Sequence, residues 1–385
     1  MTKSNNPLPQ GWQIKTLAQI GTFSKGKGIA KVEIVETGKP CIRYGQIYSE
    51  YNYFVEGFKS FINETSANNS ERIYKNDLLF AGSGETLEDI GKCVAYIKDD
   101  EAYAGGDIII LRPNSEDAHY LGYLFNNDEF KRQTYKLGQG HSVVHIYSSS
   151  LKNVKVALPP LPEQQKIAKI LATWDKAIAL QQKLISNKKE NKKAVMKKLL
   201  TGEVRFKGFN DEWKEVKFGD ISIKKSSSLS ANSIELSNGD YKVYGANGLL
   251  QCVDFYKEEE PYISIVKDGA GVGRTLMCDA KSSVLGTLDI IKPKKNVDLY
   301  FIFLLTKRVN FLKYVIGSTI PHIYFKDYSL EKIKLPSYDE QVKISSLLFG
   351  IEKEINALQI ELIALQKQKQ GLMQQLLTGK VRVKN

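Results

Sequence analysis

The chain has 385 residues, a formal net charge of +12 and 42 % hydrophobic residues. Such a length suggests two or three domains, the apolar content is enough for proper cores, and the charge favours a polyanionic partner. Four scattered cysteines (Cys41, Cys93, Cys252, Cys278) form no CxxC pair, which argues against a disulfide framework or a cysteine zinc site and fits a reducing cytoplasm. The opening MTKSNNPLPQGW reads as too polar for a signal peptide, and apolar runs such as FIFLL at Phe301 are far too short to cross a membrane.

In chain order, GWQIKTLAQI at Gly11 sets a Trp ahead of alternating apolar residues, the pattern of a strand or short structured turn. GGDIIILRPNS at Gly105 reads as a buried strand stopped by Arg-Pro. YLGYLFNNDEF at Tyr120 predicts an amphipathic helix, and HIY follows at His145. After LPPL at Leu158 a long helix is expected, with Pro162 and Glu163 in its first turn and Gly202 at its C-terminal stop. Its apolar seam holds Ile167, Leu171, Trp174, Ile178, Ile185, Val195 and Leu199, interrupted at Gln181, Lys188 and Lys192. The basic run SNKKENKKAVMKK at Ser186 is by default a solvated helix face, and a nonspecific phosphate contact if the helix lies near DNA.

The second half repeats the first. EWKEVKFGDI at Glu212, LGTLDIIKPKK at Leu285, YFIFLLTKRVNF at Tyr300 and HIY at His322 answer the four earlier stretches. The stretches Ile29–Asn76 and Ser226–Glu260 show no useful similarity. LPPLPEQQKIAKIL at Leu158 and KKLLTGEVRF at Lys197 return as LPSYDEQVKISSLL at Leu335 and QQLLTGKVRV at Gln374, each 177 positions later and without a gap. Self-similarity of this kind defines the architecture. The second helix, stopped at Gly379, has a seam of Ile344, Leu348, Ile351, Ile355, Leu358, Leu362, Leu365, Leu372 and Leu376, with only Lys369 out of place. Steps of four and three mark a helix that pairs with another helix. The expected fold is therefore α/β, with globular domains at 1–157 and 203–334 and helices at 158–202 and 335–385. If the halves pack with approximate two-fold symmetry, the helices, each about 60 Å long, lie antiparallel. LLTGKVRVKN then stops where LLTGEVRFKGFNDEW runs on into a domain, so the architecture is effectively circular.

These residues resemble the specificity subunits of type I restriction-modification systems, over essentially the whole chain. LPPLPEQQKIAKIL, LLTGEVRFKGF and their second copies look like that family's central and C-terminal repeats, and YKVYGANG and YISIVKDGAGVGRT look like stretches of its target-recognition domains. The resemblance implies two target-recognition domains, each reading half of a bipartite, asymmetric double-stranded DNA site. It implies that the paired helices act as spacer and as docking surface for two DNA adenine methyltransferase subunits, with restriction subunits as further partners. S-adenosylmethionine, ATP and Mg are then expected on those partner subunits, with no cofactor on this chain.

The residues themselves offer no catalytic constellation. GTFSKGKG at Gly21 approaches a phosphate-binding loop, but Gly28 stands where a Ser or Thr would hold magnesium. GAGVG at Gly269 lacks dinucleotide-fingerprint spacing, the histidines lack metal-ligand spacing, and no Asn-Pro-Pro-Tyr-like element occurs. Glycine loops interleaved with Lys, Arg, Tyr and Asn remain, and these suit close approach to a DNA backbone. In the first half they are Ser24–Gly28, Ile42–Gln46 and Ala81–Thr86, which supply Lys25, Lys27, Arg43, Tyr44, Gln46 and Ser83. In the second the candidates are Lys224 and Lys225, Tyr244–Gly248 with Tyr244 and Asn247, and Lys267–Arg274 with Lys267 and Arg274. Arg43 and Arg274 suit bidentate contact with guanine, and Gln46 and Asn247 suit adenine. His145 and His322, at matched places, suit phosphate contact or a structural role. The helix ends, with Leu199, Leu200 and Phe206 or Leu376, Leu377 and Val383, are suited to docking a methyltransferase or to packing on the neighbouring domain. Two rivals stand beside this reading: a coiled-coil adaptor whose domains bind proteins, and a single-chain nuclease.

Overall fold

The structure, a computed structural model, describes residues 8–84, 86, 90–140, 143–234 and 239–383. Two compact units emerge: Met1–Gln182 with Ile360–Asn385, and Lys183–Gln359. The division falls inside both long helices, so each unit contains one end of each.

In the first unit an antiparallel sheet runs in the order Gly21–Lys25, Ile108–Pro113, Leu78–Ala81, Cys93–Ala95. The apolar run at Ile108 becomes an inner strand because it is covered on both faces. Its period of two divides it between cores: Ile108 and Ile110 pack with Ile42, Ile73 and Val94, while Ile109 and Leu111 pack with Phe80, Leu121 and Tyr123. A second sheet contains a parallel pairing of Lys39–Ile42 with Ala102–Ala104. A ribbon of Gln13–Thr16 and Lys155–Leu158 closes the unit's ends. Glu85, in the Ala81–Thr86 loop, lies outside the described residues.

The second unit has the same plan. Ser222–Ser226, Leu288–Pro293, Tyr262–Val266 and Thr275–Cys278 follow one another in the same sheet order. Tyr241–Gly245 pairs in parallel with Ser283–Val284. Lys214–Lys217 pairs with Lys332–Leu335 as the closing ribbon. One departure matters below: Asp289, buried, stands in the strand position that Ile109 holds in the first unit.

The long helices are Leu161–Thr201 and Tyr338–Leu376. Gly202 and Gly379, at φ +72 and +70, take the left-handed conformation expected just beyond a helix end. The same bond closes each, from Val204 N–H to the Lys198 carbonyl and from Val381 N–H to the Gln375 carbonyl. The helices pair antiparallel inside each unit. In the first, Lys369 Nζ lies 2.5 Å from Asp175 Oδ1, and Gln181 Nε2 donates to Glu361 Oε2 at 3.0 Å. In the second, Lys188 Nζ lies 2.6 Å from Glu354, and Lys192 pairs with Glu352. Every polar break in the first helix's seam therefore faces a glutamate of the other helix. The out-of-place Lys369 is buried, with Nζ 4.1 Å from the centre of the Tyr53 ring. Burial lowers its pKa, with the Asp175 hydrogen bond and charge opposing. Lys192 and Glu352 each stand 177 positions from Lys369 and Asp175, so the charged layer belongs to the repeat.

The helix ends resolve into domain packing. Leu199 and Leu200 are buried with Ile344 and Leu348 in the second unit's core, and Phe206 packs on them. Leu376 and Leu377 are buried with Ile167 and Leu171 in the first, with Val383 alongside. Of the other expected pairing residues, Ile355 is buried, and Trp174, Ile178, Ile351 and Leu358 are half-buried. An ion pair locks each arrangement. Arg382 Nε and Nη2 donate to the buried Glu163 at 2.7 and 2.8 Å, and Arg205 donates likewise to the buried Glu340 at 2.9 and 2.7 Å. Thus LLTGKVRV takes in the first unit the place that LLTGEVRF takes in the second, in keeping with the circular plan. Among the described residues, no helix is long and apolar enough to cross a membrane.

Candidate nucleic-acid interface

The candidate loops gather at one end of the sheets in each unit, on a shared backbone frame. In the first, Gly105 N–H donates to Ile42 O at 2.9 Å, Gly82 N–H to Asp107 O at 2.7 Å, and Ile146 N–H to Gly82 O at 2.9 Å. In the second, Leu285 N–H donates to Tyr244 O at 3.0 Å, Lys267 N–H to Thr287 O at 2.9 Å, and Ile323 N–H to Lys267 O at 2.9 Å. These are the same three bonds between corresponding loops. Their close approach needs glycine: a Cβ on Gly26 would fall 2.0 Å from Gly105 O.

In the first unit Lys27 and Tyr44 are exposed, and Arg43 is half-buried at the start of the short helix Tyr44–Ser49. Lys25 is exposed and 3.9 Å from Asp107. Gln46 is occupied within the loop: its Oε1 accepts from Arg43 N–H at 2.9 Å and its Nε2 donates to Ser60 Oγ at 2.8 Å. Ser83 and His145 meet, with Ser83 Oγ 2.9 Å from His145 Nδ1 and their strands paired. Ser83 is buried, so this pair braces the loop from beneath.

In the second unit the structure brings Arg274 and Asn247 together. Arg274 Nη1 donates to Asn247 Oδ1 at 2.6 Å and to Ala246 O at 2.8 Å, and both side chains reach solvent. Tyr244 is buried, and its hydroxyl donates to Asp279 Oδ2 at 3.0 Å. Lys224 and Lys267 converge on the buried Asp289, 3.5 and 3.8 Å from its Oδ1. Burial pushes the Asp289 carboxyl up, and the two lysines oppose this. Lys225 pairs with the buried Glu258, which also takes Lys292 at 2.6 Å. Burial alone would raise the Glu258 carboxyl, but the two lysines outweigh it and hold it below its ordinary 4.5. His322 is held through its backbone by Ile316 and Asp268, and its ring packs edge-on to Tyr324 at 5.1 Å.

Sequence reasoning missed Asp289 and Glu258, the acids that anchor these lysines. A signal existed for Asp289, since it interrupts the otherwise apolar LDIIKP where the first copy reads IIILRP. The exposed ends of Lys27, Arg274 and Asn247 present N–H donors, which suit phosphate oxygens and the acceptor edge of guanine.

A family model described as Type I restriction modification DNA specificity domain matches residues 9–188 and again residues 210–365. A putative type I restriction enzyme MjaX specificity subunit from Methanocaldococcus jannaschii is 28 % identical, over 98 % of this chain and 95 % of its own length. The MjaVIII specificity subunit of the same organism is 27 % identical over the same shares. Among solved structures, the S subunit of a type I restriction-modification system from M. genitalium superposes with a TM-score of 0.65 at 18 % identity, covering 97 % of each chain. At that identity the likeness establishes the fold.

Proposed function

Because this chain belongs to the type I restriction-modification DNA specificity family, we propose that it is the subunit that selects the DNA sequence for such a complex and performs no chemistry itself. Residues 1–157 and 203–334 are the two reading domains, each addressing half of a bipartite site. The observation that carries this reading is the duplication of the loop frame: the same three backbone bonds present glycine loops at the same end of the same sheet in both units. One asymmetric chain with two such ends suits a site in two different halves. Lys25, Lys27, Arg43 and Tyr44 face the first half-site, and Arg274 with Lys224, Lys225 and Lys267 face the second. The antiparallel helices connect the readers and dock two DNA adenine methyltransferase subunits in the cytoplasm. S-adenosylmethionine, and ATP with Mg on any restriction subunits, belong to those partners.

The test is methylation mapping of genomic adenines with and without this chain, its methyltransferase partner being present in both. The expected result is one bipartite motif that disappears with the chain. Retention of the motif without it, or methyl transfer by the purified chain alone, would overturn the assignment. The adaptor alternative predicts no sequence-dependent DNA retention even with partners present.

A further inference from the structure

Arginine and asparagine are the side chains best suited to read guanine and adenine, so Arg274 and Asn247 suggest two independent readers. The geometry points to a different arrangement. We propose that Arg274 and Asn247 act as one reading unit, in which Asn247 is a positioning residue that aims the Arg274 guanidinium and reads no base of its own. This rests on the reading of the chain as a DNA specificity subunit.

Three observations lead there. First, both acceptors on the Tyr244–Gly248 loop take the same nitrogen: Arg274 Nη1 donates to Ala246 O and to Asn247 Oδ1. Two hydrogens sit on Nη1, so this engages that nitrogen fully. The Nε–Nη2 edge of the guanidinium has no partner among the described residues, and it is a complete two-donor fork. Guanine O6 and N7 accept such a fork. Second, Asn247 reads adenine with its amide oxygen and nitrogen aligned together on one base edge, and here one lone pair of that oxygen is committed to a charged donor at 2.6 Å, which turns the amide towards the guanidinium. Third, the unit stands on rigid backbone. Arg274 O accepts from Val266 N–H at 2.9 Å, and Gly273 N–H donates to Val266 O at 2.8 Å. The loops touch, since a Cβ on Gly271 would lie 3.5 Å from Ala246 Cβ. A long flexible arginine on a fixed base, tied at one nitrogen, keeps its free edge in one direction.

The test uses the complete complex with its methyltransferase partners on a plasmid library randomised across the half-sites, read by sequencing of methylated adenines. Arg274→Ala should lose about tenfold or more of its discrimination at one base position of one half-site. Asn247→Ala should lose discrimination at that same position, and the double variant should be no worse than Arg274→Ala. Asn247→Asp, which keeps an oxygen acceptor for the guanidinium, should retain the wild-type preference there. A purely structural role would instead lower methylation evenly across sequences. The proposal is overturned by that even loss, by Asn247→Ala relaxing a different position, or by Asn247→Asp behaving like Asn247→Ala. Thermal melts of each variant separate these outcomes from misfolding. A wild-type complex with no bipartite preference would overturn the specificity assignment itself, a result distinct from any of these.

Discussion

The charged layer at Lys369 offers a quantitative test of how the helices hold together. Lys369 has 7 % of its side chain exposed and Asp175 36 %. Tyr123 also donates to Asp175, at 2.6 Å, and the ammonium lies over the rings of Tyr53 and Tyr123. Asp175→Asn keeps the shape and removes the countercharge. Stranding one member of a buried ion pair costs about 3–5 kcal/mol, and the partial exposure of Asp175 brings the expected loss to about 2–3 kcal/mol. Lys369→Met in the same background removes the stranded charge and should recover most of that loss. The pH dependence follows from the folded pKa of Lys369, which burial holds below 10.5. Between the folded value and 10.5 the unfolded chain binds more protons, so stability rises with pH across that window. Without Asp175 the folded pKa falls further and the window opens at lower pH. Urea denaturation followed by circular dichroism should therefore show a deficit in Asp175→Asn that is largest near neutrality and shrinks towards pH 10. A variant within about 0.5 kcal/mol of wild type at both pH values, or a double variant less stable than the single, would refute the reasoning.

Other consequences are as direct. Glu258 is held below 4.5 by Lys225 and Lys292 against the effect of burial, so its contribution is present above 4.5 and lost as pH falls through its folded value. Glu258→Gln should flatten the acid limb of thermal melts below pH 4.5, and an unchanged limb would count against the lysine cluster. Gly273 sits at φ +81 with a Cβ position 2.5 Å from Phe311 Cβ. Gly273→Ala should cost about 1–3 kcal/mol in chemical denaturation, and an unchanged midpoint would show that the loop is not fixed as described. The antiparallel register sets Ile185 opposite the segment around Ala357, judging from Lys188 with Glu354 and Gln181 with Glu361. Inserting one heptad after Ile185 and one after Ala357 adds about 10 Å to both helices in phase. Methylated sites should then keep their half-site bases with a gap about three base pairs longer, and an unchanged gap with retained activity would show that the helices do not set the spacing.

Much of this protein was legible in its sequence because the decisive signals are local and written twice. The unbroken apolar run at Ile108 specified a buried strand, and the four–three steps from Ile344 specified a pairing helix. Gly202 and Gly379 marked the helix stops because only a residue at ease with positive φ closes a helix that way. The repeat of 177 positions alone announced two equivalent halves. What tertiary structure decided was which charge meets which. Glu163 and Glu340 each have two candidate arginines, Arg205 and Arg382. Within one copy the glutamate and the arginine belong to opposite ends of the long helix, and each glutamate takes the arginine from the other copy. Lys188, Lys192 and Lys369 read as faults in the seam because their acids lie far along the chain, on the antiparallel partner. Lys224, Lys225 and Lys267 read as free cations for the same reason, since Asp289 and Glu258 reach them only once the sheets are formed. Periodicity travels along one element and is visible there; electrostatic partnership depends on the packing of several elements, and only the folded chain supplies it.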